Sequence, residues 1–475
     1  MAIIESFFKK MRGSRQVLLW LVACAFFMQM LDGTVLNTAL PVIADSLGAN
    51  PLKMQSVVIS YMLTVAFIIP SSGWLADYFG TKKIFVCAVF IFTFGSLCCA
   101  LSNSLWQLVL SRIVQGIGGA LMVPVGRLSV IKSFPKAELV SALSFITIPG
   151  LMGPLLGPFV GGVIVQYFSW HWIFLINLPI GVICALLTYF SMPKVSPLKS
   201  KFDWFGYILF SAAIILISLS LGNVEQAHIG RRTGFFMFAA GLIFLAAYAR
   251  FAIARPWSSL FKPRMFFGRS FSVGILANLL LRFGGGAVPF LMPLLFQTAM
   301  GYSPLKSGLT MLPLGITTIL AKTFVEKTLN TFGYRKFMIY NTLIIGIMLS
   351  AFSLIDCKTP YMLILIFLGV FGIFNSMQFT ALNTLTLINV TNRDMSQANS
   401  LLSAVMQLSM SMGIALASAA LAWFGAHTSK IGSDGILYSF HSTFVFMGIF
   451  TACGSLLFIS SFSKGIVDKP KDIKG

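Results

Sequence analysis

Acid is what this chain lacks. It holds 13 Asp and Glu in 475 residues, against 34 Lys and Arg, and charged residues of every kind make up only 10%. Soluble domains carry about 25% charged residues, so a water-solvated surface is excluded for most of the chain. Histidine is scarce too. His171, His228, His427 and His441 fall in links that the charge pattern places outside, which argues against a histidine proton relay at mid-membrane. The seven cysteines are an odd number, with no metal-ligand spacing and no disulfide framework. Cys24, Cys87, Cys98, Cys99, Cys184 and Cys453 lie in apolar runs and read as small core residues, and only Cys357 falls in a polar link. No nucleophile with its base and no metal cluster is found, so no enzyme is expected, and no stretch reads as the output domain a sensor would need.

What the chain has is apolar length. Hydrophobic residues make up 57% and the mean hydropathy is +0.88. A membrane helix needs about 20 apolar residues. That ruler gives fourteen spans, at roughly 16–40, 54–75, 83–102, 105–126, 139–165, 172–192, 204–222, 234–254, 271–297, 306–325, 337–355, 360–386, 397–424 and 440–462. The fold class is therefore all-α and polytopic. The first run, Gln16 to Pro41, is too long for a signal peptide and reads as a span.

The net charge of +21 could point to nucleic acid, but no basic stripe interleaved with aromatics exists. Lys9, Lys10, Arg12 and Arg15 precede the first span, and the other basic clusters follow the even-numbered ones, Lys82 and Lys83 after the second, Arg335 and Lys336 after the tenth. By the positive-inside rule these links and both termini are cytoplasmic. Arg231 and Arg232 break the rule, since they fall in an outer link.

A weak repeat divides the chain. Tyr78-Phe79-Gly80-Thr81-Lys82-Lys83 ends the second span, and Thr331-Phe332-Gly333-Tyr334-Arg335-Lys336 ends the tenth at an offset of 253. Such repeats mark secondary transporters, whose substrates bind near mid-membrane between the halves. Spans seven and eight match neither half. The organisation read here is a six-helix bundle over 1–200, two inserted linker helices over 201–258 and a second six-helix bundle over 259–475.

Four strings carry the chemistry. Gly150 to Gly162, GLMGPLLGPFVGG, holds five glycines and two prolines. Gly150, Gly153, Gly157 and Gly161 share one helix face and permit close helix approach, with Gly162 beside them, while Pro154 and Pro158 remove backbone donors and bend the helix. Gly73-Trp74-Leu75-Ala76-Asp77 leads into Gly80, Lys82 and Lys83. There Gly73 permits close helix contact, Asp77 can pair with a cation or cap a helix, and Gly80 allows the turn. Asp32 is an acid inside an apolar span, at a cost of roughly +2.5 to +3.5 kcal/mol on insertion scales. Arg112, in Leu110-Ser111-Arg112-Ile113-Val114-Gln115-Gly116, is a buried cation that does not deprotonate. It can tune a nearby acid or bind an anion. The plain alternatives are a tight helix crossing, a turn with snorkelling lysines and structural ion pairing.

Taken in chain order, and with Trp170 to Gly181 (WHWIFLINLPIG) at the sixth span, the strings resemble the fourteen-helix drug:proton antiporter branch of the major facilitator superfamily. His171 stands where that branch usually has Arg, and Tyr78 where it usually has a basic residue. The resemblance implies two six-helix bundles plus two inserted helices, alternating access, Asp32 as proton carrier with Arg112 beside it, and rocking about the glycine-rich segment. It implies a proton gradient in place of any cofactor, a small-molecule substrate, a monomer in the lipid bilayer, and the bacterial inner membrane. No metal site is expected.

Substrate contacts are expected in a central cavity lined by Met28, Gln29, Asn37, Gln115, Asn278, Arg282, Gln297, Lys322, Gln378, Asn383 and Gln407, with Asn375, Met377 and Met406 nearby. Aligning Pro41 with Pro293 brings Arg282 within two residues of the position equivalent to Asp32. The run Gly284-Gly285-Gly286 with Pro289 reads as an interrupted helix. Lys322 and Glu326 form an i, i+4 pair. Surplus positive charge in the spans favours anions, so an exporter of an anionic metabolite (a carboxylate, citrate-type chelate or siderophore) stands beside the drug reading.

Overall fold

A computed structural model describes residues 15–134, 136–192, 202–222, 231–255, 259–387, 389–390, 394–428 and 433–461. Helices follow one another in chain order, and no strand occurs among the described residues. The first six long ones are α1 (Arg15–Ser46), α2 (Gln55–Phe79), α3 (Thr81–Ala100), α4 (Leu105–Ser133), α5 (Lys136–Tyr167) and α6 (Asn177–Ser191). Then come α7 (Trp204–Gly222), α8 (Arg231–Ala254) and α9 (Arg269–Leu294). The helix Pro304–Ala351 is broken at Gly333 into α10 (304–332) and α11 (334–351). The series closes with α12 (Tyr361–Leu387), α13 (Met395–Ala426) and α14 (Ser433–Cys453).

These fourteen helices stand where the apolar runs placed them. Among the described residues eleven stretches are long and apolar enough to cross a membrane, and Leu156–Tyr167 and Trp204–Ile217 add shorter apolar stretches of α5 and α7. The chain is a multi-pass membrane protein.

Local chemistry sets the helix ends. Ser104 caps α4 by accepting the Gln107 N–H at 3.3 Å, and Ser303 caps α10 by accepting the Lys306 N–H at 3.2 Å, with Pro304 at the first helical position. At Gly80 (φ 89°, ψ 138°) and Gly333 (φ 70°, ψ 155°) the backbone takes a conformation that only glycine adopts without strain. Gly48 and Gly301, at φ 60° and 65°, follow α1 and α9. Each pair is separated by the same 253 positions as the sequence repeat. The repeat is thus present in backbone geometry as well as in residue type.

Two compact units result, Met1–Asp203 and Trp204–Gly475. In the first, α1 packs along α5, and α4 packs on both α3 and α2. In the second, α9 packs along α13 in the same manner, and α12 packs on the helix that contains α10 and α11. The inserted helices α7 and α8 cross closely at Gly241, where a Cβ would lie 2.7 Å from Ile217 Cγ1, and α7 also packs against α13. They fall within the second unit.

The cysteine reading needs correction. Only Cys99 and Cys184 are buried, Cys98 is half-buried, and Cys24, Cys87 and Cys453 are exposed. Lipid is as apolar as a packed interior, so in this class of chain an apolar run does not tell the core from the lipid-facing surface.

Candidate functional site

Asp32 lies at mid-helix in α1 and is 1% exposed. Its carboxylate accepts from donors on two other helices. Arg112 Nη1 on α4 reaches Oδ2 at 2.6 Å, and the side chains of this pair are 1% and 0% exposed. Gln115 Nε2, one turn further along α4, donates to Oδ1 at 2.9 Å, and Asn177 Nδ2, the first residue of α6, donates to the same oxygen at 3.1 Å. Arg112 Nη1 also donates to Gln115 Oε1 at 2.6 Å. Ser96 Oγ on α3 accepts from both amides, at 2.7 Å from Gln115 and 3.3 Å from Asn177. The Tyr61 ring on α2 covers the guanidinium, 4.2 Å from Cζ to the ring centroid. Five of the first unit's six long helices therefore converge on one buried ion pair.

Burying both charges costs several kcal/mol per ion, and only good geometry with further hydrogen bonds offsets that cost. The cluster has this geometry on the acid side. On the base side Arg112 Nε is buried without a hydrogen-bond partner among the described residues. Asp32 and Arg112 are brought together as expected. Gln115 belongs to their cluster, where the sequence placed it among cavity residues. Asn177, Ser96 and Tyr61 went unrecognised as parts of the site. Asn177 sat in a string that served only to mark the family branch.

In the second unit Arg282 on α9 is 8% exposed. Its Nε donates to Asn278 Oδ1 at 2.8 Å, its Nη2 to Asn383 Oδ1 at 3.0 Å, and Cζ lies 3.9 Å from the Phe379 ring centroid. Asn278 is itself held by the Gly274 carbonyl at 2.9 Å and Thr386 Oγ1 at 3.1 Å. No carboxylate pairs with Arg282 among the described residues.

The interrupted helix expected beside Arg282 is not there. Helix α9 runs unbroken through Gly284, Gly285 and Gly286 to Leu294 and passes into a π-helical turn, Leu295–Ala299. The glycines serve contact instead: a Cβ would strike Thr451 at Gly284 and Asn375 at Gly285, and would lie 3.3 Å from Met410 Cα at Gly286. Three neighbouring helices approach through them.

The other expected cavity residues are dispersed. Met28, Gln29 and Asn37 are buried on α1, and Gln29 Oε1 and Asn37 Oδ1 have no hydrogen-bond partner among the described residues. Gln297 Nε2 donates to Ser307 at 3.4 Å, and Gln378 Nε2 to Thr342 at 3.0 Å, as a polar link between helices. Met377 is a core residue beside Leu281 and Phe337. Gln407 and Met406 are half-buried on α13. The side chains of Lys322 and Glu326 lie outside the described residues.

The full sequence matches the Major Facilitator Superfamily over residues 22–413 and 274–474. The chain belongs to the Major Facilitator Superfamily. A protein of Serratia proteamaculans (strain 568) named "Putative multidrug resistance protein MdtD" is 43% identical over 449 residues, covering 94% of each chain. A protein of the same name from Salmonella paratyphi A is 42% identical over 440 residues, covering 93% of each. Among solved structures, an auto-inhibited POT family peptide transporter superposes with TM-score 0.68 at 13% identity, over 95% of this chain and 98% of that one. A D-xylose–proton symporter gives 0.62 at 15%, over 92% and 96%. These structures share the fold. The chain is a transporter.

The superfamily's loop and seam strings take definite shape here. Asp77 Oδ1 pairs with Lys132 Nζ at 2.8 Å, tying the end of α2 to the end of α4. Gly80 makes the turn. Lys82 lies 5.8 Å from the Tyr189 ring centroid and Lys83 is exposed. Gly73 departs from expectation: among the described residues a Cβ there would meet nothing within 4 Å, so none of them requires a glycine. On α5, Gly153, Gly157 and Gly161 all press on α1. A Cβ would lie 2.6 Å from Met30 Cβ at Gly153 and would strike Thr34 Oγ1 at Gly157 and the Val35 carbonyl at Gly161. Gly150 is looser, 3.6 Å from Phe26, while Pro158 and Gly162 are buried. The Pro154 side chain lies outside the described residues.

Outside the spans, Lys262 and Arg264 converge on Asp394, which precedes α13. Arg264 Nη2 meets both carboxylate oxygens at 2.8 and 2.6 Å and Lys262 Nζ meets Oδ1 at 2.9 Å. The Arg264 hydrogen bonds first, and Lys262 second, hold the Asp394 carboxyl down at about 2.

Proposed function

We propose that this transporter is a proton-coupled antiporter that exports small molecules from the cytoplasm of a bacterium across its inner membrane by alternating access. It works as a monomer with both termini in the cytoplasm and draws on the proton gradient without a cofactor. The observation that carries this reading is the Asp32–Arg112 pair, a carboxylate buried in the span and held only by donors. Adding a proton removes the charge that Arg112 pairs with, so the protonated and unprotonated states favour different arrangements of the helices that converge there. A substrate that prefers the opposite arrangement is then exchanged for the proton through differential affinity. Drugs are the substrate class suggested by the names of the relatives.

A second reading is favoured by Arg282. Its guanidinium is held in place by two asparagines and an aromatic face, and no acid neutralises it among the described residues. An anionic metabolite would supply the missing charge. One experiment separates the two. Purified protein is reconstituted in liposomes under a pH gradient, and a lipophilic cation (ethidium) and a tricarboxylate (citrate) are offered to wild type, Asp32→Asn and Arg282→Ala. Ethidium exchange that needs Asp32 and not Arg282 supports drug antiport. Citrate exchange lost in Arg282→Ala supports the anion reading. Exchange at full rate in Asp32→Asn overturns proton coupling through Asp32.

A further inference from the structure

We propose that Asn177 is a positioning residue for the proton site, and that it sets the pH range over which the site takes up its proton. The proposal rests on the reading of Asp32 as the proton carrier. Asn177 begins α6 directly after the turn at Ile176 that separates it from the short helix Trp172–Leu175. It is 1% exposed, and its amide nitrogen spans Asp32 Oδ1 at 3.1 Å and Ser96 Oγ at 3.3 Å. The amide nitrogen of Gln115 spans the same two oxygens at 2.9 and 2.7 Å. The two amides therefore form a matched fork between one carboxylate oxygen and one hydroxyl.

The fork fills one carboxylate oxygen with donors. A carboxylate oxygen has two lone-pair sites, and on Oδ1 both receive an amide N–H. A proton arriving there must displace one amide donor, whereas Oδ2 receives Arg112 at one of its two sites. Hydrogen bonds to the charged form favour it. Asn177 makes the longer of the two amide contacts, and its removal leaves Oδ1 with Gln115 as its amide donor. Among the described residues the charged or titratable side chains that interact with Asp32 are Arg112 from α4, Tyr61 from α2 and Cys99 from α3. From α6 comes the neutral Asn177, and α5 carries no titratable residue between Glu138 and Tyr167. Asn177 can thus be changed without altering the charge of the cluster.

The test needs no substrate. Proton uptake by purified protein in detergent is followed with an indicator dye from pH 9 to pH 4 in wild type, Asp32→Asn, Asn177→Leu and Ser96→Ala, with thermal midpoints measured alongside. The uptake missing in Asp32→Asn defines the site. A hydrogen bond to a charged group corresponds to roughly one pH unit or more. Asn177→Leu is expected to take up the same number of protons over a range displaced toward alkaline pH by about one unit. Ser96→Ala, which loosens both amides, is expected to shift the curve the same way by less. An unshifted curve in folded Asn177→Leu overturns the proposal, and if that variant does not fold, an unshifted Ser96→Ala curve overturns it. No difference between wild type and Asp32→Asn would instead overturn the proton-carrier reading itself.

Discussion

Thr34 and Gly157 occupy the tightest point of the α1–α5 crossing. Thr34 Oγ1 donates within its own helix to the Met30 and Leu31 carbonyls, at 3.2 Å each, and lies 3.4 Å from the Gly153 carbonyl across the crossing. The space for a β-carbon on Gly157 is taken by that same hydroxyl. The glycine-rich string is therefore fitted to particular atoms of α1.

Gly157→Ala should separate α1 from α5 and destabilise the first unit by about 1–3 kcal/mol, the usual range for overpacking. Gly150→Ala, whose new methyl would sit 3.6 Å from Phe26, should be nearly silent. Thermal midpoints of the two variants in detergent check this, and equal midpoints would mean that the crossing yields freely. Exchange in liposomes should fall in Gly157→Ala alone.

Removing one member of the buried ion pair should cost more than removing both. Asp32→Asn leaves Arg112 charged, buried and unpaired, at a cost of about 3–5 kcal/mol. Adding Arg112→Gln should recover much of that stability without restoring transport. The comparison is the midpoint of the single variant against that of the double variant. A double variant less stable than the single one would show that Arg112 is stabilised by Tyr61 and Gln115 without help from the acid.

Asp394 should stabilise the second unit in a pH-dependent way. Its carboxyl is held at about 2, below the ordinary carboxylate value. A depressed carboxylate contributes stability that is complete above the unfolded value of about 3.9 and fades as pH falls from there through the folded value. Asp394→Asn should therefore melt below wild type at pH 7, and the gap should narrow from about pH 4 downward. Melting curves at pH 7, 5, 4 and 3 test the sign. A gap that widens on acidification would mean that another group carries the effect.

The large features were legible in the sequence because membrane chemistry writes them in residue type. Fourteen apolar runs became fourteen helices, and an acid and an arginine too costly to leave alone in a span were found paired. The finer features depended on which helix faces meet, and the sequence does not state that. Gly73 and Gly157 look alike in the string, yet one borders open space and the other a threonine hydroxyl. Gly284 to Gly286 read as a break and proved to be three contact points on an unbroken helix. Asn177 was hidden because neutral amides are common in transporter helices, and only the approach of α6 to α1 gives this one its carboxylate.

The four left-handed glycines carry a consequence for the length of the chain. Gly48 to Gly80 and Gly301 to Gly333 enclose stretches of equal length, each a helix with its entry loop. An α-helix turns by about 100° and advances about 1.5 Å with each residue. One residue added within α2 would swing Asp77 about a quarter-turn away from Lys132, even though the added side chain could sit comfortably in lipid. These segments therefore tolerate changes of residue far better than changes of count, and in the first of them the Asp77–Lys132 pair works as a gauge of helix length.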